Sequence, residues 1–229
     1  MRELLLIRHG QASFHAEDYD QLSPLGVQQS SLLGAWFADC GLKPDLVAMG
    51  PRTRHRDTAL PCLDVAGVLA SPITLPGLDE VDHQELLARL RPDLAAPGAL
   101  RAAMTQASDP YRSFQQLFVD AIERWTGGEH DADYTRSWNS FRSDVLDALQ
   151  QLMESSANSI WAFTSGGPIT VMVAALLLVP EKKTFDLSWS LVNTGVTKLR
   201  LGSRGASLVT YNAYPHLERA RDAQLVSLR

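Results

Sequence analysis

The chain has 229 residues, 45% hydrophobic and 21% charged, with 26 Asp and Glu against 21 Lys and Arg and a net charge of -5. That length suits one sizeable domain or one domain with a large insertion, and the apolar fraction excludes general disorder. The acidic balance argues against a broad nucleic-acid or anionic-membrane surface, and two cysteines, Cys40 and Cys62, are too few for a disulfide framework or a cysteine-rich zinc site.

In chain order, Glu3 to Arg8 is a short aliphatic run, predicted as a fully buried strand. Its four apolar residues stop at Arg8, too few for a signal-peptide core, so a cytoplasmic protein is expected. A helix follows, with Ser23 as N-cap, Pro24 at its first position and Gly41 closing it. Leu25, Leu32, Leu33, Trp36 and Phe37 are placed on its apolar face. Asp45 to Met49 is the second strand, about Thr53 to Ala66 the second helix, and Ile73 to Leu75 the third strand. From about His83 to Asp133 the rhythm breaks into short helical patterns separated by Pro92, Pro97-Gly98, Pro110 and Gly127-Gly128. This stretch is read as a helical cap inserted within a single domain spanning residues 1–229. Trp138, Phe141, Val145, Leu149 and Leu152 then keep helical spacing. Ile160 to Thr164 is a fourth strand, about Gly167 to Leu178 a buried helix, and Val196 to Leu201 and Ser207 to Tyr211 two further strands. The apolar run Val171 to Val179 is far short of the roughly 20 residues that span a bilayer. The pattern predicts a three-layer α/β fold, a mostly parallel sheet with helices on both faces and the cap inserted.

In open parallel sheets, ligands bind outside the carboxyl ends of the strands. Three such ends carry unusual chemistry. The first strand ends in Arg8-His9-Gly10, the second runs into Gly50-Pro51-Arg52-Thr53-Arg54-His55-Arg56, and the fourth into Ser165-Gly166-Gly167-Pro168. A glycine-rich helix N-terminus offers N–H donors and partial positive charge, and arginines add bidentate donors, which together predict a phosphate pocket. His9 is the candidate nucleophile, because imidazole can attack phosphorus and split one transfer into two steps. Glu80, after the third strand, is the candidate proton donor to the leaving oxygen, ahead of Asp79 and Asp82. Arg52, His55 and Arg56 are read as solvated helix surface. His83, His130 and His216 lack metal-ligand spacing, so no metal and no cofactor are assigned.

These motifs resemble the histidine phosphatase superfamily, the phosphoglycerate-mutase-like group. Leu5-Leu6-Ile7-Arg8-His9-Gly10-Gln11-Ala12 is similar to its opening signature and Leu22 to Gln29 to the start of its first helix. Arg54 with Thr58-Ala59, Leu78-Asp79-Glu80, Asn193 to Thr197, and Tyr211-Asn212 with His216-Leu217 look like its later patterns. The resemblance implies His9 as nucleophile, Arg8 and Arg54 as phosphate ligands and Glu80 as proton donor. It also places Gln11, His15, Ser165 and the Gly166 N–H against the substrate. One departure stands out: the family expects a second histidine after the fourth strand, and this chain has Ser165 there. A hydroxyl donates one hydrogen bond and carries no charge. Losing one such donor costs about 2–4 kcal/mol of transition-state stabilisation. His15 falls where mutases carry a substrate-facing asparagine and offers partial compensation.

The expected activity is therefore metal-independent hydrolysis of a small phosphorylated metabolite through a phosphohistidine, with neither nucleic acid nor membrane as partner. A binder of phospho-ligands weakened or silenced by Ser165 is the alternative, and a phosphotransferase or mutase the second. The substrate's identity and the oligomeric state are left open. Residues 79 to 133 hold eleven acidic residues and five arginines, so the acidity belongs to that stretch while Arg8 and Arg54 lie outside it.

Overall fold

The computed structural model of the protein describes residues 1–13, 20–96 and 98–228. It contains a six-stranded sheet in the order β3-β2-β4-β1-β5-β6. The strands are β1 (Arg2–Arg8), β2 (Leu46–Met49), β3 (Ile73–Thr74), β4 (Ser159–Thr164), β5 (Val196–Gly202) and β6 (Gly205–Ala213). The first four run parallel to one another, and β5 and β6 add an antiparallel hairpin beside β1. Among the described residues the α-helices are α1 (Pro24–Asp39), α2 (Thr53–Val65), α3 (His83–Leu90), α4 (Ala99–Gln106), α5 (Pro110–Thr126), α6 (Trp138–Glu154), α7 (Gly166–Leu177) and α8 (Pro215–Arg219). This is the mostly parallel, helix-covered sheet that the alternation of short apolar runs and helical patterns predicts. No helix among the described residues is long and apolar enough to cross a membrane.

The residues fall into two compact units, Met1–Glu80 with Asp144–Arg229, and Val81–Ser143. In the first unit β1 is buried on both faces, as a continuous Leu-Leu-Leu-Ile run must be. Side chains alternate across a strand. Leu5, Ile7, Val47, Trp161 and Phe163 accordingly meet Leu33 and Phe37 of α1 and Ala59, Cys62 and Leu63 of α2 in one cluster. Leu4, Leu6, Ala48, Ile160 and Ala162 alternate with them and are equally buried.

Helix α1 begins as its punctuation predicts. Ser23 Oγ accepts the Gly26 N–H, Pro24 takes the first position, and Gly41 closes the helix at φ +65°. Its buried face is a different set from the predicted stripe, however. Leu33 and Phe37 are buried as expected, but the rest of that face is Gly26, Gln29, Ser30 and Gly34. Leu25 and Leu32 turn instead toward Val192, Leu217 and Leu225. Small residues replace leucines because backbones approach closely here. A Cβ on Gly26 would stand 2.3 Å from the Gln11 carbonyl oxygen, and one on Gly10 would stand 2.5 Å from the Gly26 carbonyl oxygen. Gly26→Ala is therefore expected to destabilise the protein by about 1–3 kcal/mol, the usual cost of overpacking. A urea-unfolding midpoint equal to wild type would show that α1 and the Gly10-Gln11 segment part without strain.

The second unit has its own aromatic centre. Trp125 of α5 meets Trp138 of α6 edge to face at 5.3 Å and lies 5.4 Å from Phe141, and its Nε1–H donates to the Arg136 carbonyl. Asp82 caps α3 by accepting from Gln84 and Glu85, and Asp109 caps α5 by accepting from Arg112.

Candidate active site

β1 and β4 lie side by side and parallel, and the chain leaves them into α1 and α7 respectively. The crevice between their carboxyl ends is where a ligand belongs in such a sheet. Three strand ends contribute to it: Arg8 and His9 from β1, the Gly50-to-Arg54 turn from β2, and Thr164 to Gly167 from β4.

His9 is buried, and its Nδ1 lies 2.7 Å from the Gly10 carbonyl oxygen. A carbonyl can only accept, so Nδ1 carries the proton and Nε2 holds a lone pair. Burial, followed by the charges of Arg54 and Arg8 and the nearby His55 ring, holds His9 well below its ordinary value of 6.5. The ring is thus neutral near pH 7, as a nucleophile must be. Its backbone is fixed as firmly: His9 N–H donates to Thr164 O, Asn193 Nδ2 donates to His9 O at 3.0 Å, and Thr194 N–H reaches Arg8 O at 3.1 Å.

Arg54 is buried on the first turn of α2 and pairs with Asp20 at 2.8 Å, while the other Asp20 oxygen accepts the Thr53 N–H. Thr58, one turn on, donates to Arg54 O and accepts the Gly10 N–H, tying the arginine helix to the nucleophile loop. Arg8 donates to the carbonyls of Leu191 and Leu228. Asn212 braces the former by holding Ser190 O and Val192 N–H on either side of it. Ser227 bonds Asn193, and Gln29 spans Gln11 N–H, Leu225 O and Ser227 Oγ. The late motifs Asn193-Thr194 and Tyr211-Asn212 thereby buttress the end of β1.

Glu80 is buried, and its carboxylate accepts the Gly167 N–H at 3.1 and 3.3 Å. A Cβ on Gly166 would stand 3.9 Å from both Glu80 Oε2 and Arg8 Nε, so these side chains converge on the N-terminus of α7. Of the competing acids, Asp79 is paired with Arg52 at 2.6 Å and Asp82 is engaged as the α3 cap. Gln11 Oε1 accepts from Ser23 Oγ, which orients that side chain. His15 lies outside the described residues.

Two expectations about α2 need correction. Arg52 is half-buried, its guanidinium held by Asp79 and the Glu80 carbonyl. His55 is fully buried, its Nε2 2.6 Å from Ser165 Oγ and its ring 6.0 Å from that of His9. Only Arg56 is the solvated charge expected. Successive helix positions point about 100° apart, and it is position 55 that turns toward the sheet. Asp20, which holds Arg54, carries no signal in the sequence beyond an acid before a helix cap, while Asn193, which holds His9, belongs to a family-like motif whose partner the sequence does not name.

Among the described residues, no group of three or more His, Cys, Asp or Glu is arranged to hold a metal ion. The described side chains at these strand ends are the His9 and His55 imidazoles, the Arg8 and Arg54 guanidinium groups with Asp20, and the Glu80 carboxyl group at the N-terminus of α7.

Solved structures share this fold. A phosphoglycerate mutase from Bacillus anthracis superimposes with a TM-score of 0.67 at 13% identity, over 96% of this chain and 97% of that one. A phosphoserine phosphatase from Entamoeba histolytica, in complex with phosphoserine, gives 0.64 at 19% identity over 95% and 100%. An alpha-ribazole phosphatase from Shigella flexneri gives 0.62 at 18% identity over 93% and 96%. No curated protein matches the chain in sequence. The family model of the histidine phosphatase superfamily, branch 1, matches residues 4–214, and the chain belongs to that family.

Proposed function

We propose that this protein is a phosphomonoester hydrolase that works through a phosphohistidine at His9 and needs no metal ion. The observation that carries the reading is the state of His9: buried, its Nδ1–H spent on the Gly10 carbonyl, and held neutral by burial and the charges of Arg54 and Arg8. In the first step Nε2 forms a bond to phosphorus as the P–O bond to the alcohol breaks, and Glu80 gives its proton to the leaving oxygen. In the second, water attacks phosphorus, Glu80 takes its proton back, and the P–N bond breaks to release phosphate and neutral His9. Arg8, Arg54, Ser165 and the Gly166 N–H hold the phosphoryl oxygens, and charge spread over those oxygens is what arginines and helix amides stabilise. Among the described residues, Gln11 is the candidate for contact with the remainder of the substrate. That the E. histolytica relative binds phosphoserine supports a small phosphorylated metabolite as the substrate class.

The test is hydrolysis of p-nitrophenyl phosphate with and without EDTA, beside His9→Ala, with labelled phosphate trapped on the protein. Release that ignores chelator, disappears in His9→Ala and passes through an acid-labile, base-stable adduct is the expected result. Dependence on added metal would sink the mechanism. Wild-type protein that binds inorganic phosphate yet neither releases it from the ester nor forms the adduct would be a phospho-ligand binder.

A further inference from the structure

His55 stands between two arginines on the first turn of α2 and yet is fully buried. Burying an imidazole costs free energy unless its nitrogens are used. Three strand ends surround it. From β1 comes His9, ring centroids 6.0 Å apart and planes at 41°. From β2 comes Gly50, whose lack of a side chain makes the room: a Cβ there would stand 2.3 Å from His55 Nδ1. From β4 comes Ser165, with Oγ 2.6 Å from Nε2. Burial first, then the charges of Arg54 and Arg52 facing it from α2 and its leading turn, lower the free imidazole to about 3.

Ser165 is itself in an unusual role. A serine at the N-cap ordinarily turns its oxygen onto an amide of the first turn. Here Glu80 accepts the Gly167 N–H, Pro168 has no N–H to offer, and the Ser165 hydroxyl makes no capping bond. It is free to serve His55.

We propose that His55 is the second imidazole of the phosphoryl site, reaching it from α2 and acting through the Ser165 hydroxyl. The inference rests on the phosphohistidine reading of His9 and deepens it. In the Nδ1–H tautomer, which turns its proton toward the Gly50 backbone, a neutral His55 accepts the Ser165 O–H and leaves only oxygen lone pairs toward a phosphoryl oxygen, a repulsive arrangement. A protonated His55 donates Nε2–H to Oγ and frees the Ser165 O–H to donate onward. An arriving phosphoryl dianion supplies the field that favours the second state, so one proton passes from solvent to His55 as the anion binds. Ser165 is then the ligand, and His55 is the positioning residue that gives it direction and charge. The two together do the work of one histidine at the end of β4.

Calorimetric titration of the wild-type protein, His55→Gln and Ser165→Ala with inorganic phosphate, in buffers of different ionisation enthalpy, reads the proton directly. Wild type is expected to take up about one proton more per phosphate than either variant, and kcat with an aryl phosphate to fall about 10²-fold in each. The double variant should cost no more than the worse single, since the two residues act as one unit. Moving the imidazole back, with His55→Ala and Ser165→His combined, should recover most of the kcat lost in His55→Ala alone. Proton uptake and kcat within twofold of wild type in His55→Gln, or additive losses in the double variant, would overturn the proposal. Trapping of phosphate on His9 in those same samples leaves the hydrolase reading standing in that event. If His55→Gln fails to fold, Ser165→Ala decides by the same readout. If wild type turns over no ester, the difference in proton uptake on phosphate binding still decides.

Discussion

Glu80→Gln is expected to slow hydrolysis of an alkyl phosphate by about 10²–10⁴-fold, the range of a lost general acid. With p-nitrophenyl phosphate the first step should be nearly unchanged, because that alcohol leaves without a proton. The second step still needs a base for water, so the variant should accumulate the phosphohistidine and show a burst of nitrophenol close to one per protein, where wild type shows none. The substitution suits the question because Glu80 holds the start of α7 as well as a candidate chemical role. Its carboxylate accepts the Gly167 N–H, the second amide of α7, at 3.1 Å. Glutamine keeps an acceptor oxygen for that amide and removes only the transferable proton. Glu80→Ala removes the cap as well and should lower stability by about 1 kcal/mol. Equal slowing of alkyl and aryl esters without a burst would mean that Glu80 serves the helix and not the leaving group.

Much of this site was legible because its parts sit in short local patterns. Arg8-His9-Gly10 follows an aliphatic run that can only be a buried strand, and Ser23-Pro24 starts a helix for steric and hydrogen-bonding reasons that need no partner. Residues whose role depends on which way a helix turns were not legible. Arg54 is marked out by its motif with Thr58-Ala59, but Arg52, His55 and Arg56 look alike on paper, and only docking of α2 on the sheet decides that 55 points inward while 56 meets solvent. The signal that could have flagged His55 is indirect: Gly50 five residues earlier, where any side chain would strike the ring, and an uncharged Ser165 where a cation is wanted. The supporting shell was less visible still. Asp20, Gln29, Asn193 and Asn212 act across 15 to nearly 200 residues of chain, and nothing local to any of them names its partner.

Stability should fall as pH drops from about 7 toward 4, and more steeply than the carboxylates alone would cause. Three buried histidines keep their protons off in the folded state: His9 well below 6.5, His55 near 3 and His216 near 4, in each case chiefly through burial. In the unfolded chain each returns to about 6.5. Below that value the unfolded state takes up protons that the folded state refuses, and the equilibrium shifts toward unfolding. The stability is therefore complete above about pH 6.5 and is lost progressively as pH falls toward the folded values. At about 1.4 kcal/mol per pKa unit, a lowered value at a buried ring is appreciable beside the 5–15 kcal/mol that holds a typical domain. Urea-unfolding midpoints between pH 7 and 5 measure this, a window above most carboxylate titration. His216 supplies the control, since it lies outside the proposed chemistry and its Nε2 meets Thr194 Oγ1 at 2.8 Å. His216→Gln keeps a hydrogen-bonding side chain there and cannot titrate, so its stability should depend on pH with a slope smaller by about one proton. Equal slopes in the two proteins would show that His216 protonates freely in the fold. The acid sensitivity follows from the same burial that suits His9 to attack phosphorus, because a ring kept neutral for catalysis is a ring whose protonation favours the unfolded chain.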